Sequence, residues 1–129
     1  MKLIIFGALL FAIPALSQSI VSPEVQTNGQ VTFRLKAPDA KEVQLNCEDV
    51  PASKMVRDAQ GVWSFTTEPM GPDIYTYSFS VDGVPVNDPV NPLLKYNLLD
   101  TRSEVHVPGP KSLLWEINDV PHGEQHQHF

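Results

Sequence analysis

Along much of this chain hydrophobic residues recur at every second position, in short runs separated by turn residues. The longest run is Ile74 to Val81, where Tyr75, Tyr77, Phe79 and Val81 fall on one face and Thr76, Ser78 and Ser80 on the other. This pattern predicts a strand with one packed face and one wet face, as antiparallel sheets have. Asp82-Gly83 follows, two residues that tolerate the positive φ of a hairpin turn. Val84 to Asn87 is then expected to return as a short strand. Pro89 and Pro92 bar Asp88 to Pro92 from the interior of a sheet, because proline cannot donate a ladder hydrogen bond. Asp88 and Asn91 each precede a proline, and their side chains can close Asx-type turns that stiffen this loop.

The same period recurs on both sides of that stretch. Val31, Phe33 and Leu35 alternate with Thr32, Arg34 and Lys36, and Val43, Leu45 and Cys47 alternate with Gln44 and Asn46. Val62 to Thr67 carries Trp63 and Phe65 on one face, Lys54 to Arg57 reads as a short strand, and Ser103 to Val107 is the last strand candidate. Ser19 to Asn28, with Pro23, reads as a leading edge segment. Asn28-Gly29, Ala37 to Ala40, Asp58 to Gly61 and Glu68 to Asp73 read as turns, and Glu48 to Ser53 as a polar loop containing Pro51. No segment long enough for a stable helix has a 3.6-residue period; Leu93 to Leu99 is expected to form one or two helical turns at most. Strands recurring roughly every ten residues between turn signals predict an all-β, immunoglobulin-like β-sandwich, with a small barrel as the alternative. Trp63 suits a position buried between the sheets.

The two ends differ from this middle. Lys2, the apolar run Leu3 to Ile13, the breaker Pro14 and the small-x-small stretch Ala15-Leu16-Ser17 have the order of a secretory signal cut before Gln18. The apolar run is too short to span a bilayer. Residues 1–17 are therefore expected to be a signal peptide, residues 18–110 the sandwich, and the protein secreted or periplasmic. From Lys111 the alternation stops, and KSLLWEINDVPHGEQHQHF reads as a linker or docking tail. With Leu113, Leu114, Trp115 and Ile117 so close together, it is too apolar for a simple flexible spacer.

The chain carries a formal charge of −6, and loss of Lys2 would make it more acidic. Acidity without a basic cluster excludes nucleic acid and an anionic membrane as expected partners. Cys47 is the sole cysteine, so no disulfide forms within the chain, and its parity with Val43 and Leu45 places it in the core. None of the seven glycines is spaced to make Gly-x-Ser-x-Gly, and no nucleophile–base pair is visible, so no catalytic residue is assigned. The acidic residues sit singly in or beside loops rather than as an evident pair for glycoside hydrolysis. His122, His126 and His128 have spacings that can chelate zinc, but nothing fixes them, so no metal or cofactor is expected. Trp63, Tyr75 and Tyr77 are candidate stacking surfaces for a sugar, although their parity with Phe65 and Phe79 favours the core.

Several motifs together resemble a known family. They are Leu35-Lys36-Ala37-Pro38-Asp39-Ala40-x-x-Val43-x-Leu45, Gly61-x-Trp63, Tyr75-x-Tyr77-x-Phe79-x-Val81-Asp82-Gly83 and Asp88-Pro89-x-Asn91-Pro92. Their order resembles an early-set, immunoglobulin-like module of the family 48 carbohydrate-binding type. The likeness is greatest to the N-terminal domain of secreted enterochelin-esterase-like and feruloyl-esterase-like enzymes. Ser103-Glu104-Val105-x-Val107-Pro108-Gly109 and Trp115-x-x-x-Asp119-Val120-Pro121-His122-Gly123-Glu124 have counterparts there, just before the catalytic domain.

The resemblance implies a non-catalytic accessory module whose partner is an esterase catalytic domain, in cis or lost by truncation. Asp88, Pro89, Asn91 and Pro92, with Leu113, Leu114, Trp115 and Ile117, would be its interdomain contacts. Glycogen-binding members stack sugars on tryptophans and use a lysine. Here Val84 and Pro85 stand at one tryptophan position, Ser78 near the lysine, and Glu48 to Ser53 has no aromatic. Starch or glycogen is therefore not the expected ligand. A free-standing module for a plant or storage polysaccharide is the alternative, and an esterase cut short is the third reading.

Overall fold

The computed structural model describes residues 19–96 and 101–110. Their strands are β1 (Glu24–Val25), β2 (Val31–Lys36), β3 (Val43–Cys47), β4 (Val50–Lys54), β5 (Val56–Arg57), β6 (Val62–Thr66), β7 (Asp73–Val81), β8 (Val84–Val86), β9 (Leu94–Tyr96) and β10 (Thr101–Val107). They form two sheets, one ordered β1-β2-β6-β5 and the other β4-β3-β7-β10-β9, with β8 also pairing β7. Each pairing is antiparallel. This is an immunoglobulin-like β-sandwich, the all-β architecture expected from the alternation.

Register shows why these residues close on one core. In the larger sheet Leu45 lies opposite Phe79, Cys47 and Ser103 flank Tyr77, and Val105 lies opposite Tyr75. In the smaller sheet Phe33 faces Phe65 and Leu35 faces Trp63. Residues directly opposite in antiparallel strands point to the same side, so each pair adds to one apolar face. Tyr77, Phe33, Phe79 and Leu45 are the largest fully buried side chains. The Phe33 and Tyr77 rings meet across the sandwich at 4.7 Å between centroids, and Tyr77 meets Phe79 edge-on at 5.8 Å. Burying each such ring contributes about 2–3 kcal/mol, and a tilted ring pair adds about 0.5–1.5 kcal/mol. Trp63 is 8 % exposed, and its indole N–H donates to the Ala37 carbonyl at 2.9 Å. Its burial thus leaves no polar atom unpaired.

Three expectations are corrected. Glu48 to Ser53 is not a polar loop: only Glu48 and Asp49 turn, with Asp49 at φ 59°, and Val50–Lys54 pairs with β3 through a register shift. Pro51 is tolerated because β4 is an edge strand. Nor is Lys54 to Arg57 a single strand. The chain changes sheets at Met55, which is buried and whose N–H donates to the Val43 carbonyl at 2.9 Å. Leu93 to Leu99 is not helical where described; Leu94–Tyr96 pairs with the start of β10. A three-residue strand is too short to show alternation, and the open ladder of β10 decides its conformation. Asn97 to Leu99 lie outside the described residues, as do residues 1–18 and 111–129, which include the expected signal peptide and tail.

One turn requires glycine. Gly61 has φ +77°, and a Cβ built there would sit 2.7 Å from the Pro38 Cα. Its carbonyl accepts the Ala37 N–H at 3.0 Å, which holds the Ala37 to Ala40 turn over the end of β6. Gly61→Ala is therefore expected to cost about 2 kcal/mol or more. Urea unfolding should show a lower midpoint with an unchanged slope.

Candidate functional site

The loop after β8 is built around a carboxylate taken out of water. Asp88 is 3 % exposed. Its Oδ2 accepts the Ser22 hydroxyl at 2.6 Å and the Tyr77 hydroxyl at 2.8 Å, and its Oδ1 accepts the Val90 N–H at 3.0 Å. Its own N–H donates to Ser103 Oγ at 2.9 Å. Ser22 Oγ in turn accepts the Arg34 N–H of β2 at 3.0 Å. Asn91 completes the cluster: its Nδ2 donates to the Tyr77 oxygen at 2.9 Å and to the Glu104 carbonyl at 2.7 Å, and its Oδ1 accepts the Leu93 N–H at 3.0 Å. One cluster therefore joins the smaller sheet, through β2, to β7 and β10 of the larger sheet.

Burial raises the Tyr77 phenol well above its ordinary range; the Asn91 donor opposes this and the Asp88 charge reinforces it. Tyr77 therefore remains a hydrogen-bond donor throughout the physiological range. Ser22, Tyr77, Asp88 and Ser103 are all buried, so this serine and carboxylate are sealed from any substrate. The cluster positions a loop.

Because the loop's polar side chains point inward, its apolar ones point outward. Pro89, Val90 and Pro92 are exposed at the tip. Both Asx-type turns expected at Asp88 and Asn91 are present, through the bonds to Val90 and Leu93. The four loop residues named from the sequence thus form one stiff unit. Leu113, Leu114, Trp115, Ile117 and the histidines of the tail lie outside the described residues.

Beside the loop the larger sheet extends past the smaller one. Val86 pairs with Phe79 and Val84 with Val81, so both valines stand on the side that is core at the sheet's centre. Tyr96 has the same parity as Leu94, which lies opposite the buried Ser103. Yet Val84 is 61 % and Tyr96 83 % exposed. These residues form an uncovered apolar shelf.

The other side of that sheet is polar. Gln44, Asn46, Thr76, Ser78, Ser80 and Glu104 are positioned there, none of them aromatic. Asn46, Glu48, Thr76 and Arg102, with Cys47, Val50 and Ala52, line a shallow depression of about 260 Å³. Glu48 Oε2 accepts the Thr76 hydroxyl at 3.2 Å. Burial on the core side, and then the Glu48 and Asp49 charges, push the Cys47 thiol up from 9.0 to about 12. It is not a nucleophile at neutral pH.

Trp63, Tyr75 and Tyr77 are all buried, so none presents a free face on which a sugar can stack. Tyr75 reaches the sheet end, where its hydroxyl donates to the Gly71 carbonyl at 3.0 Å. Sequence reasoning missed Ser22, Ser103 and Tyr96. Ser103 was detectable in principle, since a serine in step with Val105 and Val107 is a polar group in a core position that needs a partner. Ser22 and Tyr96 gave no such signal.

Comparison with known proteins places this geometry. No family model matches the chain. An endo-1,4-beta-xylanase/feruloyl esterase of Xylanibacter ruminicola is 40 % identical over 70 residues, covering 52 % of this chain. The chain spans about a tenth of that protein's length. Among solved structures, the GBS pullulanase SAP in complex with maltotetraose superposes with a TM-score of 0.56 at 18 % identity, covering 74 % of this chain and 15 % of its own. A putative alpha amylase from Salmonella typhimurium gives 0.54 at 24 % identity, over 73 % of this chain and 15 % of its own. The apo pullulanase of Paenibacillus barengoltzii gives 0.50 at 26 % identity, over 68 % of this chain and 14 % of its own. The first two likenesses show the sandwich fold. In each case this chain corresponds to a small part of a larger carbohydrate-active enzyme.

Two outcomes follow from the site. Asp88→Ala strips partners from two buried hydroxyls and a backbone N–H, and is expected to cost about 3 kcal/mol or more in chemical denaturation. Cys47 should react with iodoacetamide at pH 8 about 1000-fold more slowly in the folded chain than in urea, because its folded thiolate fraction is so small. The same shift makes stability fall as pH rises from about 9 toward 12, since the unfolded thiol ionises first.

Proposed function

We propose that this chain is a non-catalytic accessory module of a secreted, polysaccharide-degrading enzyme of the feruloyl-esterase kind, holding an α/β-hydrolase domain in position. The observation that carries this reading is the Asp88–Pro92 loop, whose polar groups are spent inside and whose apolar tip is held rigidly outside. A rigid, prefolded apolar surface is suited to a neighbouring domain, because little ordering entropy is lost on contact. Likeness to the Xylanibacter xylanase/feruloyl esterase supports the enzyme class. The signal-like residues 1–17 support export to the periplasm or the medium.

A second reading, a free-standing carbohydrate-binding module, is favoured by one feature, the polar depression of Asn46, Glu48, Thr76 and Arg102. Such a site would hold sugar through hydrogen bonds without a stacking ring, which implies weak binding.

Two measurements separate these readings. The module is expected to associate with the feruloyl-esterase part of the Xylanibacter relative, and Val90→Glu to weaken that association at least tenfold while leaving the unfolding midpoint unchanged. Affinity electrophoresis in starch, xylan and pectin gels should show no strong retardation. Retardation without association would establish the second reading instead.

A further inference from the structure

The leading segment, residues 19–25, is fastened to the rest of the domain mainly by polar groups. Ser22 is its only buried residue; Val21 and Glu24 are exposed, and Val25 is partly buried against the core. Its ladder with β2 is two pairs long, Glu24 with Thr32 and Val25 with Val31. A segment with so few buried apolar contacts opens at much lower cost than the core unfolds.

Arg34 of β2 is the main fastening. Its backbone N–H donates to Ser22 Oγ at 3.0 Å, and its guanidinium donates to the Val21 carbonyl at 2.9 Å and pairs with Glu24 at 2.7 Å. Arg34 alternates with the core residues Phe33 and Leu35, so its side chain stands on the outer side of the smaller sheet. Among the described residues that guanidinium has no bond to the Asp88–Pro92 loop.

The Ser22 hydroxyl, in turn, donates to Asp88 Oδ2 at 2.6 Å. The leading segment therefore connects a clasp on the outside of β2 with the carboxylate that shapes the loop. When the segment lifts away, Asp88 loses one of its two hydroxyl donors and keeps Tyr77 and the Val90 N–H. A buried carboxylate short of a donor is unfavourable, and turning toward water relieves it. That turn breaks the bonds to Tyr77 and Val90, which hold the apolar tip in place.

We infer that residues 19–25 are a strap that sets the Asp88–Pro92 tip, with Arg34 as its clasp and Ser22 as the positioning residue that carries the coupling. With the strap closed the tip is rigid; with the strap open the tip is slack while the sandwich stays folded. Coupling of this kind is reciprocal, so a partner that binds only the rigid tip also tightens the strap. The inference rests on the bonds of this fold and not on the proposed docking role, so it stands or falls without a partner domain.

Native-state amide hydrogen exchange on the full chain, with no hydrolase or sugar present, tests it. The reporters are the Val90 and Leu93 amides, which donate to Asp88 Oδ1 and Asn91 Oδ1. Phe79, fully buried and paired on both sides, reports global unfolding. In the unmodified protein the two loop amides should be protected at least tenfold less than Phe79. Arg34→Met keeps the apolar stem and the backbone N–H but removes the guanidinium, and it should lower their protection at least threefold further. Ser22→Ala should lower it at least tenfold, the worth of a hydrogen bond to a carboxylate. The Arg34 side chain is 31 % exposed, so its replacement should leave the domain folded. Loop amides unchanged in either variant would overturn the proposal, because strap and tip would then open independently. Loop protection equal to that of Phe79 would also overturn it, since the tip would then loosen only when the whole domain unfolds.

Discussion

The structure depends on what happens when the Asp88 carboxylate is removed from water. A buried carboxylate costs several kcal/mol unless donors replace its hydration. Here the donors are two hydroxyls and a backbone N–H, and none is cationic. They come from separate parts of the chain, so the carboxylate is satisfied only when those parts have converged. The leading segment must bring Ser22 over β2, β7 must carry Tyr77 inward, and the loop must close on Val90. The arrangement is cooperative, and it penalises any register that leaves one donor out of place. In the core around it, Phe33 packs on Tyr77, and the buried apolar residues together supply driving force without specifying the loop.

This division explains what was legible in the sequence. The strands with clear alternation, β2, β3, β6 and β7, were readable because an inward face of Val, Leu, Phe and Tyr leaves a period of two. The edge strands β4 and β9 were not, because Pro51 and the brevity of Leu94–Tyr96 obscure any period. Asp88 was half legible. Its bond to Val90 is local and follows from Asp before Pro, whereas its bond to Ser22 spans 66 positions and leaves no local mark. The shelf was illegible for a related reason. Val84 and Val86 have the same parity as core residues, and only the unequal width of the two sheets leaves them uncovered.

The buried polar groups serve the fold. Ser22 and Tyr77 are bonded to Asp88, and Cys47 is kept protonated by burial and nearby acidic side chains. Among the described residues the surface left to solvent includes a stiff apolar tip, an apolar shelf and a polar sheet face. Such a surface suits contact with other molecules, in keeping with the small share of each larger carbohydrate-active relative to which this chain corresponds.

The depression at Asn46 and Arg102 and the shelf at Tyr96 lie on opposite sides of one sheet. A body seated on one side cannot sterically displace a body on the other. The β7–β10 backbone between them is a fixed partition, cross-linked along its length by ladder hydrogen bonds. A polymer lying against the outer side would therefore sit at a constant offset from anything docked on the inner side. In that geometry the domain works as a rigid jig.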